Sequence, residues 1–425
     1  MTTTTAAPDR RIYYGYWLIA ASFIAQFIAT GMQNYVIGPF MTPMTEALEW
    51  TRTEYTIPRT IGQFMMGVVG LVIGGYVDRY GGRPFMLAGA AILAIALYLC
   101  GMVTSLWQWI VINGLILTVG AAMIGNLVVN VTLAKWFVEL RGRAIAWAAM
   151  GVSFAGITLT PATTWMIDEY GWRTAWQLLA VIELAFVVPV ALMMRRAPED
   201  YGLHPDGKSN EQVAAGHAER AAQDFANSIT RAEALRTLAF YALILAFALF
   251  TANISVMLLQ TIPMVTDAGF SRSMGAMMIL VASVPAMLLK PVWGYFIDKA
   301  KHPKRLSAAG AAFTGVSLLV IIFSIQIRSE VGVYLGYFLL GCGWGGMIPL
   351  NEVIWASYFG RRYLGAVRGA ALPFTLVLSA AAPLLVSYYY DVVGNYDGAI
   401  YTIAVFSLVS AVMMLMIKPP IRQQE

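Results

Sequence analysis

Charged side chains are scarce in this chain, 12% of 425 residues, which excludes a soluble protein with a broad polar surface. Cysteine is nearly absent: Cys100 and Cys342 both fall inside apolar runs, so neither a disulfide framework nor a thiolate metal cluster is implied. The three histidines, His204, His217 and His302, lie in polar connections without ligand spacing. No nucleophile pairs with a base, so no metal, no cofactor and no enzyme active site is expected. Gly341, Gly343, Gly345 and Gly346 sit inside an apolar run, where small residues let helices approach closely, rather than on a phosphate-binding loop.

What fills the chain instead is apolar: 59% hydrophobic residues, with a mean hydropathy of +0.67. Runs long enough to cross about 30 Å of hydrocarbon occur at 13–38, 55–77, 85–105, 108–134, 144–167, 175–195, 238–265, 273–297, 306–327, 331–358, 367–388 and 399–417. All are expected to be helices, because lipid cannot satisfy unpaired backbone groups. The polar start and the length of the first run argue for a retained span rather than a cleaved signal peptide.

Basic residues set the orientation. With both termini cytoplasmic, most of the 28 Lys and Arg gather on the inner side. Arg52, Arg173, Arg272 and Arg328 remain outside, and Arg59 and Lys290 lie within helices. The net charge of +5 is thus a topology signal, and no nucleic-acid partner is expected. The organisation predicted is a cytoplasmic tail at 1–12, a six-helix bundle at 13–196, a cytoplasmic linker at 197–237, a second bundle at 238–418 and a tail at 419–425. The linker ends in 229–236, which reads as a short amphipathic surface helix.

The two halves repeat. Gly74 and Asp78 are answered by Gly294 and Asp298 at an offset of 220; Phe137 is answered by Phe359 at 222; Asp168 is answered by Asp391 at 223. Two parallel six-helix repeats place a substrate site at their interface near mid-membrane.

The run Gly74, Asp78, Arg79, Gly81 and Arg83 resembles the signature between the second and third helices of the major facilitator superfamily, with a fading copy at Gly294 and Asp298. Lys135 to Ala146, Gly151, Gly156, Pro161 and Gly171-Trp172-Arg173 look like the monocarboxylate porter and oxalate/formate exchanger branch, as do Glu49 to Arg52 and Phe359 to Gly365. The resemblance implies the superfamily's all-α fold of twelve transmembrane helices, and an arginine for the substrate carboxylate where this chain has Lys290. Lysine keeps the charge without the bidentate fork. The branch's proton-carrying aspartate corresponds to Ala286, and the exchanger's second basic residue to Thr375. A single-carboxylate substrate fits this better than a dicarboxylate.

Lys290 stands eight residues, about 12 Å of helical rise, before Asp298, at a depth where a lysine is costly. It binds the substrate carboxylate or forms a structural ion pair, for instance with Glu352. Glu352 is in turn a replacement proton site or a mere neutraliser of Lys290 or Arg59. Asn126 and Asn130, one turn apart, either donate to the cavity or pack helices. Asn34, Asn253, Gln260, Trp344 and Asn351 are further substrate-site candidates on cavity-lining helices; Arg59 is a second anion anchor, a gate, or a snorkelling side chain, and Glu183 is equally ambiguous. Asp78, Arg79 and Arg83 are expected to pair with helix ends and steady one conformational state rather than recognise substrate.

The function expected is secondary active transport of a small organic anion, a monocarboxylate, with a proton or counter-anion as coupling partner. The setting is a bacterial-type inner membrane, and the protein is expected to be monomeric. A larger or aromatic acid on the same fold, and a non-transporting membrane receptor, stay open as alternatives.

Overall fold

The computed structural model of the protein describes residues 13–50, 52–209, 225 and 228–420. Among the described residues no strand occurs. The first span is α1 (Tyr14–Thr30), continued through a π-helical turn (Gly31–Tyr35) into α2 (Ile37–Leu48). The second and third are α3 (Arg52–Tyr80) and α4 (Arg83–Cys100). The fourth is segmented: α5 (Leu106–Trp109), a π-helical stretch (Ile110–Leu117), α6 (Thr118–Ile124) and α7 (Asn126–Trp136). Gly125, with ψ of −153°, breaks it between α6 and α7.

α8 (Arg141–Met193) is 53 residues long, about 80 Å of rise against a bilayer core of about 30 Å, so it crosses twice, turning at Gly171 where φ is 78°. A single turn, α9 (Arg231–Ala234), precedes α10 (Leu238–Asp267). α11 (Arg272–Leu288) and α12 (Lys290–Lys299) form one span bent by 41°. Pro291 cannot donate to the carbonyl one turn back, which accounts for the bend. α13 (Pro303–Gln326), α14 (Glu330–Phe359), α15 (Leu364–Val393) and α16 (Asp397–Met416) complete the chain. Ten helices among the described residues are long and apolar enough to cross a membrane, eleven with the bent pair. Counting α8 as two gives the expected twelve.

The halves meet where α3 packs on α15 and α8 packs on α12. At the end that carries the 197–237 connection, backbone touches backbone. A methyl group on Gly74 would collide with the Gly365 carbonyl, and one on Gly365 with the Gly74 carbonyl. Gly142 and Gly294 meet in the same reciprocal way across the other seam. Only glycine permits this approach, and it closes that end of the molecule.

The connection itself clasps this end. Asp206, at a φ of 60°, accepts hydrogen bonds from the amides of Val138, Glu139 and Leu140 at 3.0–3.2 Å, and Lys208 pairs with Glu139 at 2.5 Å. Arg361 reaches the Glu199 carboxylate at 2.5 Å and donates to the Lys135 carbonyl at 3.0 Å. Within 229–236 the structure forms α9, started by a capping box in which Thr230 and Glu233 exchange hydrogen bonds.

Candidate functional site

Lys290 opens α12 at the bend of its span and is 3% exposed. Its ammonium donates to the Ser153 hydroxyl of α8 at 2.5 Å, so this cation of one half touches the other half directly. Among the described residues no carboxylate lies within ion-pair distance of it. The neighbouring indole of Trp293 donates to the Cys342 carbonyl at 2.8 Å, fixing α12 against α14.

Toward the linker end, two carboxylates occupy equivalent places. Asp78 of α3 pairs with Lys135 at 3.0 Å and accepts from the amides of Gly365 and Ala366 at 3.2 and 2.9 Å, the first turn of α15. Asp298 of α12 accepts from the amides of Gly142 and Arg143 at 2.7 and 3.2 Å, the first turn of α8, and from Arg143 Nε at 2.8 Å. A carboxylate on a helix N-terminus is stabilised by the free amides and the dipole there. Gly81, at a φ of 79°, caps α3 beyond Asp78. Arg79 is exposed and stacks over Tyr80, and Arg83 is an exposed residue opening α4.

Glu352 does not meet Lys290 or Arg59. It is 8% exposed and accepts two hydrogen bonds from Arg368, at 2.5 and 3.1 Å, while the Arg368 guanidinium also lies over Trp355. The reason is the start of α15 at Leu364, which puts Arg368 a turn inside the helix, 6% exposed, instead of in a loop.

Three cavity candidates turn inward. Asn253 is fully buried, accepts from the Trp344 indole at 2.7 Å and donates to the Phe250 carbonyl. Gln260 accepts from the Tyr396 hydroxyl at 3.4 Å. Both pairs hold helices of the second half together. On the fourth span the two amides separate: Asn126 is exposed at the start of α7, while Asn130 is 1% exposed and accepts from Gln26 Nε2 at 3.1 Å. The other amide atoms of that pair, Gln26 Oε1 and Asn130 Nδ2, have no hydrogen-bond partner among the described residues. Asn351 is half-buried beside Glu352, and Glu183 is fully buried with neither carboxyl oxygen hydrogen-bonded among the described residues. Asn34 and Arg59 come together at one small cavity between the first, second and fourth spans.

A family model described as the Major Facilitator Superfamily matches residues 22–380. The chain belongs to this superfamily. Among its relatives, the uncharacterized MFS-type transporter YcxA of Bacillus subtilis is 21% identical, with 88% of each chain covered. Monocarboxylate transporter 13 of Bos taurus is 20% identical, covering 95% of this chain and 89% of that one. In fold it resembles the proton:xylose symporter XylE, with a TM-score of 0.73 at 12% identity and 95% of each chain covered. The protein is accordingly a membrane transporter of this superfamily, not an enzyme.

Several contacts of this transporter carry no mark in the sequence. Ser153 is an ordinary hydroxyl in an apolar run, and Gln26 is one amide among several in the first span. Arg368 stands only one residue into the run read as 367–388, so by position it reads as a charge at the edge of a span rather than as a buried partner for Glu352.

Proposed function

We propose that this transporter carries a small organic anion, a monocarboxylate, by alternating access of its two halves, with Lys290 as the group that holds the carboxylate. The observation that carries the reading is the state of Lys290: 3% exposed at the seam, with a neutral hydroxyl for its hydrogen-bond partner. A buried ammonium so placed favours entry of an anion, because an unbalanced charge at that depth is costly. Ser153, on the opposite half, orients the ammonium and lets anion binding bear on both halves at once.

Asn126, Asn130 and Gln26 supply amides from the first half, and Asn351 supplies one from the second. Gly74 and Asp78, with Gly294 and Asp298, hold the state closed at the linker end, which is cytoplasmic in this reading, while Gly81 ends α3 and the exposed Arg79 and Arg83 flank the latch. Glu352 couples a proton: protonation releases Arg368, so the proton and the ion pair compete for one carboxylate. The relationship to monocarboxylate transporters supports the substrate class.

Uptake into proteoliposomes over a panel of mono- and dicarboxylates, with and without a pH gradient, tests the function. Saturable uptake of a monocarboxylate is expected; failure to bind or move any anion contradicts it.

A further inference from the structure

The two π-helical stretches, Gly31–Tyr35 in the first span and Ile110–Leu117 in the fourth, converge on α3 around Pro58 and Arg59. Such stretches re-aim side chains and are concentrated at functional sites. Here they leave a cavity of about 10 Å³ whose polar lining is Gln33, Asn34, Arg59, Gln63 and Asn113, with Thr118 at its edge. That is about the room one water needs, so an anion would be held at the open side, where Arg59 is exposed.

Glycines hold the walls together. A methyl on Gly114 would press on the Pro58 carbonyl at 3.1 Å, and one on Gly62 on the Thr118 hydroxyl at 2.6 Å. Asn113 is 4% exposed and its amide lies beside the Cys100 thiol. Arg59 enters from the open side with no carboxylate within ion-pair distance among the described residues. The lining therefore offers both donors and acceptors from its amides, with one full positive charge on Arg59.

By position along their spans, this cavity and Lys290 stand at different depths. Arg59 is seven residues into α3, about 10 Å from the end away from the linker, whereas Lys290 is about 27 Å along its span from the same side.

We propose that Arg59, with the amides of Gln33, Asn34, Gln63 and Asn113, forms a second anion site near the linker-distal mouth, taking one small monoanionic group. That group is one end of a carboxylate, delivered by the substrate, or a halide ion. Two cationic sites in series let an anion be captured at the mouth before it reaches Lys290, and the proposal stands whether or not Lys290 holds the carboxylate.

The test measures equilibrium binding of radiolabelled formate, and of bromide by thermal stabilisation, to the full-length protein in lipid nanodiscs. The variants are Lys290→Met, Arg59→Gln, Arg59→Lys and Asn113→Leu. Saturable binding is expected to survive Lys290→Met. It weakens at least tenfold in Arg59→Gln, less in Arg59→Lys, and severalfold in Asn113→Leu, which keeps the question answerable if Arg59→Gln folds poorly. Saturation by bromide as well as formate assigns a resident halide; saturation by formate alone assigns the substrate carboxylate. No saturable binding in Lys290→Met, or unchanged affinity in a well-folded Arg59→Gln together with Asn113→Leu, overturns the proposal.

Discussion

Asp78 and Asp298, 220 positions apart, each cap the first turn of a helix that belongs to the opposite half of the transporter. The relationship is reciprocal, so the linker end is latched twice, once by each repeat. The latch breaks whenever the halves part there, which makes it specific to one conformational state.

Replacing Asp78 with Asn removes a charge from one latch and leaves Lys135 without its carboxylate. The loss is about 1–2 kcal/mol, a five- to thirtyfold shift away from the state closed at the linker end. Asp298→Asn should act alike. Spin-label distances across that end should lengthen in both variants, with maximal transport rate falling more than apparent substrate affinity.

Bulk at the glycine contact acts by sterics rather than charge. In Gly365→Val the side chain meets the Gly74 backbone, so the seam between α3 and α15 cannot close. A single cysteine introduced at the linker end should then label faster with a hydrophilic maleimide than in the parent protein. Unchanged labelling would show that the backbones need not touch.

The pair of Glu352 and Arg368 is nearly buried at both partners. Glu352→Ala strands a guanidinium that is 6% exposed, at a cost of about 3–5 kcal/mol, and should lower the unfolding temperature markedly. Replacing both residues with leucine should recover most of that loss. Glu352→Gln should abolish the proton dependence of uptake; full retention moves the proton role elsewhere.

Asp206 binds three successive backbone amides. Asp206→Ala should free the 198–208 stretch, seen as faster limited proteolysis there with little change in overall stability. Equal proteolysis rates would contradict a clasp.

The fold was legible because its two signals are long in the sequence: apolar runs set by bilayer thickness, and basic residues gathered mostly in alternate connections between them. Lys290 was legible for the same reason, as a charge where charge is costly. Which face each helix turns to the seam was not. α14 is apolar nearly all round, so nothing in its pattern says whether Trp344 looks to a cavity or, as found, to Asn253. The partner of Glu352 was missed by a three-residue difference in where α15 begins, 364 rather than 367. Ser153 owes its role to meeting Lys290 across the seam, a contact between residues 137 apart that no local pattern encodes.

The most direct measurement is binding of a transported monocarboxylate to Lys290→Met and Lys290→Arg, each checked for wild-type elution on size exclusion. Lys290→Met should lose the transport-competent affinity by a hundredfold or more, and Lys290→Arg should keep part of it. Wild-type affinity and uptake in Lys290→Met would contradict the assignment of Lys290 as the residue that holds the substrate.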